Sequence, residues 1–264
     1  MLINVSSTTA ASELVKYLRR NNIKYNIIGR GSNILAADEG YDGVILHFGN
    51  MISDVEIKEN TVIAGAGASL AEVCKKAQQA GLSGMENLYG IPGSVGGGLY
   101  MNAGAYGSEM KDVVVSAEYI DENGKICSIS AGDMELSYRH SIFSERNCII
   151  TSVVFELTKG NSDDIKEAMA ECMKKRVSKQ PLEYPSAGST FKRPEGSYAS
   201  LLIEQCGLKG MTVGGAQVSE KHSGFVINKG GATCNDVLEL CRRVKEIVHE
   251  KTGYILELEP IIIE

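Results

Sequence analysis

The chain has 264 residues, of which 43% are hydrophobic and 23% are charged, and its formal net charge is −6. This composition predicts a globular protein with a hydrophobic core and excludes a mainly disordered chain. It disfavours nucleic-acid binding, since proteins that bind polyanions are usually basic. No apolar run reaches the ~18 residues of a membrane-spanning helix, and residues 1–4 do not begin a signal peptide. We therefore expect neither a nucleic acid nor a membrane among the partners.

The seven cysteines are scattered along the chain, odd in number and without a C-x-x-C pair. This pattern predicts reduced thiols in a cytoplasmic protein, and it disfavours a disulfide framework or a zinc site. None of the four histidines is four residues from another, as two metal ligands on one helix face would be. No metal site is therefore predicted.

The hydrophobic pattern predicts an α+β chain in which helices and strands alternate. Helices are predicted at residues 6–22, 68–80, 162–179, 200–206 and 235–252. Strands are predicted at residues 25–28, 44–46, 55–64 (a hairpin), 113–120 with 125–129 (a hairpin), 149–157, 225–228 and 255–263. Residues 84–107 are rich in glycine and lack periodicity, which predicts a long functional loop. A boundary near residues 158–162 divides the chain into residues 1–160 and 161–264.

Two short glycine motifs each follow a predicted strand: Gly29-Arg30-Gly31-Ser32-Asn33 and Gly65-Ala66-Gly67. Each resembles the start of the dinucleotide-binding pattern G-x-G-x-x-G, but Ile34 and Leu70 occupy the position of the third glycine. Either motif alone is equally consistent with a tight turn.

The segment Ile91-Pro92-Gly93-Ser94-Val95-Gly96-Gly97 presents many backbone N–H groups with little side-chain bulk. Such a loop can hold a pyrophosphate, because glycine permits the close approach of the backbone. It lacks the Gly-Lys-Ser/Thr ending of an NTPase P-loop, so a dinucleotide fits better than a nucleoside triphosphate. An irregular connector is the alternative interpretation.

Polar residues cluster in three later segments: 138–141 (Tyr-Arg-His-Ser), 188–194 and 218–223. Ser189 is not part of a G-x-S-x-G motif, and no nearby Asp/His pair completes a triad, which disfavours hydrolysis. Glu257 and Glu259 alternate with leucines and so point to one face of the last predicted strand. For Glu257 we expect that face to be exposed to solvent.

The segments that carry these patterns follow one another in a fixed order: 29–35, 81–86, 90–97, 101–107, 138–143, 180–182, 185–194 and 202–210. In this order they resemble one family, the UDP-N-acetylenolpyruvoylglucosamine reductases of peptidoglycan precursor synthesis. The resemblance covers nearly the whole chain. Only a short connection separates Gln180-Pro181 from Ser186–Ser189, with no extra substrate loop between them. In this the chain resembles the shorter subtype of the family.

The resemblance implies a flavoenzyme with a two-lobed α+β FAD-binding domain at residues 1–160. A smaller α+β substrate-binding domain would follow at residues 161–264, with its last strand returning towards the FAD site. NADPH, as co-substrate, would reduce the FAD and leave before a UDP-sugar carrying an enolpyruvyl ether binds. Hydride would pass from flavin N5 to the methylene carbon, and a proton would then reach the neighbouring carbon. The oligomeric state is left open.

The family pattern implies a role for three residues in the reaction. Ser189 would donate the proton, which is chemically reasonable only towards a strongly basic, carbanion-like carbon in a dry site. Arg139 would bind the pyruvyl carboxylate through its two-pronged guanidinium and balance charge in the transition state. Glu259 would flank the same carboxylate, and it would have to be protonated or linked through water because two bare carboxylates repel.

The resemblance also implies two sets of binding residues. The residues expected to bind FAD are Gly29, Arg30, Gly31, Ser32, Asn33, Gly90, Pro92, Gly93, Ser94, Gly96, Gly97, Asn102, Gly104, Ala105 and Arg176. The residues expected to bind the substrate are Tyr106, Tyr138, Lys179, Lys192, Arg193 and His222.

Two departures from the family pattern bear on these expectations. The family begins a few dozen residues earlier with a strand beside the flavin, so we expect an FAD-binding domain without that strand segment. The last strand reads Glu257-Leu258-Glu259-Pro260-Ile261 where the family has Leu-Glu-x-Glu-Val-Arg. An ungapped count places the catalytic glutamate at Glu259, whereas a gap at Pro260 would place Ile261 there. We use the ungapped count.

Two other functions stay open on the sequence. One is another FAD-dependent oxidoreductase of the same FAD-domain superfamily, which the Ser189 and Tyr138-Arg139 motifs disfavour. The other is a non-catalytic, truncated homologue that binds the UDP-sugar without flavin.

Overall fold

Helices and strands alternate along the whole chain in the computed structural model, which describes residues 1–264. The helices are α1 (Thr8–Arg20), α2 (Leu70–Gln79), α3 (Val95–Tyr100), α4 (Ser162–Lys179), α5 (Ala199–Gln205) and α6 (Cys234–Thr252). The strands are β1 (Leu2–Asn4), β2 (Tyr25–Ile28), β3 (Ile34–Ala36), β4 (Val44–His47), β5 (Val55–Lys58), β6 (Thr61–Gly65), β7 (Leu82–Ser83), β8 (Gly104–Ala105), β9 (Ser108–Glu109), β10 (Val114–Ile120), β11 (Ile126–Ser130), β12 (Ile149–Glu156), β13 (Thr158–Lys159), β14 (Thr212–Val213), β15 (Ala216–Val218), β16 (Val226–Asn228) and β17 (Ile261–Ile263). None of the helices is both long enough and apolar enough to cross a membrane.

The predicted α+β class is confirmed, and the five predicted helices form as α1, α2, α4, α5 and α6. The Oγ atoms of Ser7 and Ser69 accept the backbone N–H groups of Ala10 and Glu72 at the starts of α1 and α2, both at 3.1 Å. At the other end of the chain, α6 ends at Gly253, whose left-handed φ of 77° suits a C-terminal glycine.

The first of two compact units comprises residues 1–30 and 43–174. It holds a parallel sheet in the order β1-β4-β2 and an antiparallel sheet in the order β11-β10-β12-β6-β5. The central strand β12 is almost continuously buried, which explains its run of β-branched residues. Helices α1, α2 and α3 contribute buried apolar residues to the same core.

The second unit comprises residues 31–42 and 175–264. Its core lies between the β14-β15-β16 sheet and helices α5 and α6. Residues 31–42 belong to it because β3 pairs with β17 in parallel, with Ile34 opposite Ile261. The units therefore divide the chain differently from the predicted boundary at residue 160, since the first unit continues into α4 as far as Lys174.

Part of the long predicted loop is in fact helical. Helix α3 contains three consecutive glycines, which have a low helix propensity. Tertiary contacts stabilise it: the Ser94 Oγ accepts the N–H of Gly97 at 3.3 Å, and a Cβ on Gly98 would lie only 3.2 Å from Leu70 Cδ1. The expectation of irregular structure was wrong for residues 95–100, because close packing favoured glycine there over stronger helix formers.

The final strand is shorter than the prediction of residues 255–263. Only Ile261–Ile263 form β17, and Leu258 makes an isolated antiparallel bridge with Phe191. Pro260 lies between the two pairings and has no N–H to donate to a ladder. The strand pattern was correct in its alternation, but the proline breaks it into two short pieces.

The Gly65-Ala66-Gly67 turn packs directly on the backbone that follows β4. The N–H of Gly67 donates to the carbonyl of Ile52 at 2.8 Å, and the N–H of Ala66 donates to that of Thr151 at 2.9 Å. A Cβ on Gly67 would overlap the carbonyl oxygen of Gly49. Glycine is therefore required at position 67 by close approach of two backbones.

The carboxylate of Asp38 caps helix α6. It accepts the N–H groups of Cys234 at 2.6 Å and Asn235 at 2.9 Å, while Thr233 accepts that of Asp236 at 3.0 Å. The N–H of Thr233 donates to Asp236 Oδ2 at 3.1 Å, so all four unpaired N–H groups of the helix start are satisfied. The bonds from α6 to Asp38 and the pairing of β3 with β17 together hold residues 31–42 in the second unit.

We expect Asp38→Ala to lower the free energy of unfolding by about 1 kcal/mol, because two helix N–H groups lose their acceptor. Urea unfolding of the whole protein measures this change. Glu39→Ala is the matched control, since Glu39 is an exposed carboxylate in the same turn, and its effect should stay within about 0.5 kcal/mol. Equal unfolding midpoints for both variants would contradict the capping role.

Gly67→Ala should lower the free energy of unfolding by about 1–3 kcal/mol, because the backbone of Gly49 must move to make room. Gly132→Ala is the control: the nearest atom to its added Cβ is 3.9 Å away and its φ is not left-handed. The control should be neutral or slightly stabilising. Thermal unfolding of the two variants side by side tests the difference, and equal melting temperatures would be evidence against the close approach.

Candidate active site

Three glycine-rich segments meet in the first unit. The N–H of Gly96 donates to the carbonyl of Ala66 at 2.9 Å, and the N–H of Val95 donates to that of Ala68 at 2.8 Å. A Cβ on Gly29 would overlap the hydroxyl of Ser94. Three segments therefore lie together: the Gly29 turn, the Gly65–Gly67 turn and the start of α3. The sequence had not predicted that the Gly65–Gly67 turn belongs to this site.

A cavity of about 450 Å³ adjoins these turns within the first unit. It is lined by Asn4, Val5, Arg30, His47, Gly49, Asn50, Met51 and Gly67. Its volume lies within the range of cofactor sites. Of its lining residues only Arg30 was predicted to bind a cofactor. Asn4 and His47, whose Oδ1 and Nδ1 are 2.7 Å apart, lie on neighbouring strands and carry no sequence signal for this role.

The residues present fit a flavin dinucleotide. An added side chain at position 29, 67 or 96 would collide with Ser94, Gly49 or Ala66, respectively. The N–H groups of Gly67 and Gly96 are donated to the carbonyls of Ile52 and Ala66, so these glycines contribute backbone without side-chain bulk beside the cavity. The exposed Arg30 adds a positive charge to the cavity wall. A surface of small residues with one cationic side chain suits a pyrophosphate.

The second half of the Gly29–Asn33 motif belongs to the second unit, where it contacts the predicted catalytic segments. Asn33 Nδ2 donates to the carbonyl oxygen of Glu259 at 3.1 Å, and the N–H of Ile261 donates to the carbonyl of Asn33 at 2.9 Å. Gly188 has a left-handed φ of 81°, and a Cβ on it would lie 3.5 Å from the carbonyl oxygen of Ser32. Ser32, Asn33, Gly188 and Glu259 thus form one cluster.

Ser189 is exposed beside this cluster, and the next residue anchors it. Thr190 is only 4% exposed. Its Oγ1 accepts the N–H of Val226 at 2.8 Å, and its carbonyl accepts the N–H of Glu259 at 3.0 Å. The structure therefore brings the Ser189 and Glu259 segments together, and Thr190, which sequence analysis missed, connects them to strand β16.

Arg139 belongs to the first unit and occupies the tip of a tight turn. Ser137 and His140 exchange backbone hydrogen bonds of 3.2 and 3.1 Å across it. Arg139 has a left-handed φ of 54°, and its guanidinium carbon is 5.0 Å from the ring centre of Tyr138. The turn thus presents the two predicted substrate residues, Tyr138 and Arg139, side by side.

Asn102 differs from the expectation of a cofactor contact. It is completely buried, and its side-chain amide bonds to Glu109, Ser137 and Lys111. A side chain without exposed surface cannot touch a ligand, so we correct its role to a structural one. Its neighbours Gly104 and Ala105 form strand β8, and the exposed Tyr106 lies at the tip of the β8–β9 hairpin with a left-handed φ of 52°.

The remaining predicted residues lie in the second unit with varied surroundings. Arg176 and Lys179 occupy the last turn of α4. Lys192 pairs with the exposed Glu257 at 3.4 Å, and the guanidinium of Arg193 is 4.5 Å from the ring centre of Tyr198.

His222 is half-buried in the second unit. Its Nδ1 accepts the N–H of Gly224 at 3.1 Å, and its ring packs edge-on against Phe225. Burial lowers the pKa of His222. The imidazole is therefore neutral at pH 7, with its proton on Nε2 because Nδ1 accepts a hydrogen bond.

Comparison with known proteins identifies the domains and the family. Residues 1–130 match the FAD binding domain family, and residues 180–263 match the C-terminal domain of UDP-N-acetylenolpyruvoylglucosamine reductase. The reductase of that name from Agathobacter rectalis is 48% identical over 94% of this chain and 83% of its own length. The one from Clostridium novyi is 46% identical over 100% of this chain and 85% of its own.

A solved structure agrees with these sequence matches. The crystal structure of the reductase from Thermus caldophilus superimposes with a TM-score of 0.86 at 33% identity, covering 100% of this chain and 92% of that one. Both units of the chain are therefore represented in one known enzyme fold. The chain belongs to the UDP-N-acetylenolpyruvoylglucosamine reductase family.

Proposed function

We propose that this chain is an FAD-dependent oxidoreductase that uses NADPH to reduce UDP-N-acetylglucosamine enolpyruvate to UDP-N-acetylmuramate, a step of peptidoglycan precursor synthesis. The observation that carries the proposal is the cluster in the second unit, where Asn33 of the glycine motif bonds to Glu259 and the Ser189 segment is paired with the same residue through Thr190. The family membership and the FAD binding domain support it.

In this proposal the glycine-rich segments of the first unit and Arg30 hold the FAD pyrophosphate. The bound flavin, once reduced by NADPH, supplies a hydride to the methylene carbon of the enolpyruvyl group. The backbone of residues 29–33 and 90–97 lies against the pyrophosphate in this proposal, and the cavity beside Gly67 accommodates part of the dinucleotide. The N–H groups of Val95 and Gly96 are not donors to it, because they are donated to Ala68 and Ala66. Arg176, a basic residue in the last turn of α4, is assigned to a phosphate of the cofactor in this proposal.

Ser189 donates the proton that completes the reduction. Its hydroxyl is exposed, so a substrate can reach it, and buried Thr190 fixes the backbone on which it stands. The O–H bond breaks as a C–H bond forms at the carbon next to the carboxylate, and the serine is reprotonated from solvent. A hydroxyl is a weak acid, so this transfer needs a strongly basic carbon as acceptor.

Arg139 binds the carboxylate of the enolpyruvyl group in this proposal, and Glu259, protonated or linked through a water, is the second residue assigned to it. A guanidinium matches a carboxylate with two parallel hydrogen bonds. It also stabilises negative charge that spreads from the carbon onto the carboxylate in the transition state. Tyr106, Tyr138, Lys179, Lys192, Arg193 and His222 contact the UDP-sugar in this proposal. Residues 1–160 serve mainly the cofactor, apart from Tyr106, Tyr138 and Arg139, and residues 161–264 serve mainly the substrate, apart from Arg176.

We place this activity in the cytoplasm. All seven cysteines are free thiols in the structure, and five of them are buried. Burial raises the pKa of Cys74 and Cys241 to about 12, so these thiols stay protonated and unreactive. Free thiols are typical of a reducing compartment.

The activity is tested with the purified protein and FAD. We expect flavin absorbance that elutes with the protein and NADPH oxidation that depends on the enolpyruvyl UDP-sugar. A flavin that NADPH reduces but the UDP-sugar does not reoxidise would indicate another FAD-dependent oxidoreductase. A colourless protein that FAD cannot reconstitute would contradict the proposal.

Ser189→Ala should leave reduction of the flavin by NADPH unchanged but slow its reoxidation by the UDP-sugar by at least ~100-fold, the usual contribution of a general acid. Stopped-flow absorbance separates the two half-reactions. Ser186→Ala is the matched control, because Ser186 is an exposed serine three positions earlier in the same segment. Fast reoxidation of the Ser189→Ala variant would show that another group donates the proton.

A further inference from the structure

The completely buried side chain of Asn102 joins three separate backbone segments. Its Nδ2 donates to the carbonyl of Ser137 at 2.8 Å and to Glu109 Oε2 at 3.1 Å. Its Oδ1 accepts the N–H of Lys111 at 2.9 Å. Both amide hydrogens and the amide oxygen are therefore occupied, and none of them is available to a ligand.

One of these bonds holds the turn that carries Arg139. The carbonyl of Ser137 precedes Tyr138 and Arg139 directly, and Ser137 closes the turn with His140. On the other side of the turn, the buried hydroxyl of Ser141 donates to the carbonyl of Tyr100 at 2.7 Å. The turn is thus fastened at both ends to the same short stretch, residues 100–102, at the end of helix α3.

The conformation of the turn needs such support. Arg139 and Glu135 both have left-handed backbones, with φ values of 54° and 52°, and Asn102 has a φ of 41°. Non-glycine residues adopt this region at a cost and keep it only where the surroundings enforce it. Ser137 and Tyr138 are exposed, whereas Asn102 and Ser141, which bond to either side of the tip, are buried.

A second contact sets the orientation of Asn102 itself. Glu109 Oε2, which accepts from Asn102 Nδ2, also pairs with Lys111 Nζ at 2.7 Å. The backbone N–H of Lys111 in turn donates to Asn102 Oδ1. The β8–β9 hairpin and the residues after it therefore hold the amide in one orientation, with its N–H aimed at Ser137.

We infer that Asn102 is a positioning residue for the reduction: it acts through Arg139, by fixing the turn that presents this guanidinium to the substrate carboxylate. The inference rests on the proposed role of Arg139. It assigns to Asn102 no contact with the flavin or the substrate. Its effect is confined to the half-reaction in which the UDP-sugar takes part, because NADPH does not carry the carboxylate that Arg139 binds.

The first test is Asn102→Gly in the FAD-loaded protein, since glycine keeps the left-handed backbone and removes only the amide. We expect the KM for the enolpyruvyl UDP-sugar to rise and the rate of reoxidation to fall, each by about 10- to 100-fold. This is the scale of effect expected when a positioning group is slightly displaced. Reduction by NADPH should be unchanged. Isothermal titration of the oxidised protein with the UDP-sugar should show the same loss of affinity without turnover.

The matched control is Ser12→Ala, which also removes a buried hydrogen bond to a backbone carbonyl of the first unit, from Ser12 Oγ to Gly124 at 2.6 Å. It should lower the melting temperature but leave both half-reactions unchanged. If Ser12→Ala impaired reoxidation as much as Asn102→Gly, the effect would be general destabilisation and the inference would be overturned. Should Asn102→Gly not fold, Ser141→Ala removes the other fastening and should raise the same KM, by a smaller factor; an unchanged KM would overturn the inference.

A double-mutant comparison separates this inference from the proposed function. In an Arg139→Ala background, Asn102→Gly should add no further loss to reoxidation, because the group it positions is gone. If Arg139→Ala alone has no effect, the proposed role of Arg139 fails. Arg139→Ala could also slow reoxidation while the double variant is slower still, by the same factor that Asn102→Gly causes alone. In that case Arg139 keeps its role and the inference about Asn102 fails.

Discussion

The parallel pairing of β3 with β17 is the constraint on which the candidate site depends. It fixes Asn33 beside Glu259, so that the end of the glycine motif and the predicted catalytic glutamate occupy one cluster. Through Glu259 the cluster extends to Thr190 and hence to the backbone of Ser189. The Asp38 cap on α6 secures the same stretch from its other end. A three-residue strand pair thus organises groups from three distant parts of the sequence.

The family, the fold class and most elements could be predicted from the sequence because each leaves a local trace. Helix α6 shows an apolar periodicity, a capping threonine and a terminal glycine, and all three are used in the structure. The glycine motifs indicated sites where backbone segments approach closely, although a single motif did not distinguish a nucleotide-binding loop from an ordinary turn. Their order along the chain, rather than any single pattern, identified the family, and the comparisons bear this out.

What could not be predicted is set by contacts between distant residues. Helix α3 has glycine where an added Cβ would crowd distant residues, Ala66 at position 96 and Leu70 at position 98. The role of Asn102 follows from three bonds to residues up to 35 positions away, and its sequence context resembled that of a cofactor contact. Nothing in a linear pattern assigns residues 31–42 to the second unit, since that depends on partners beyond residue 230.

The same strand pair has a consequence for the order of folding. Asn33 and Glu259 are 226 residues apart, so the ribosome releases the glycine motif long before its partner exists. Pairings of such high sequence separation form late, because loop closure precedes any gain from contact. The motif therefore acquires its final shape only after the second unit has been made. In the nascent chain the Gly29–Asn33 motif would therefore lack its final contacts until synthesis is complete.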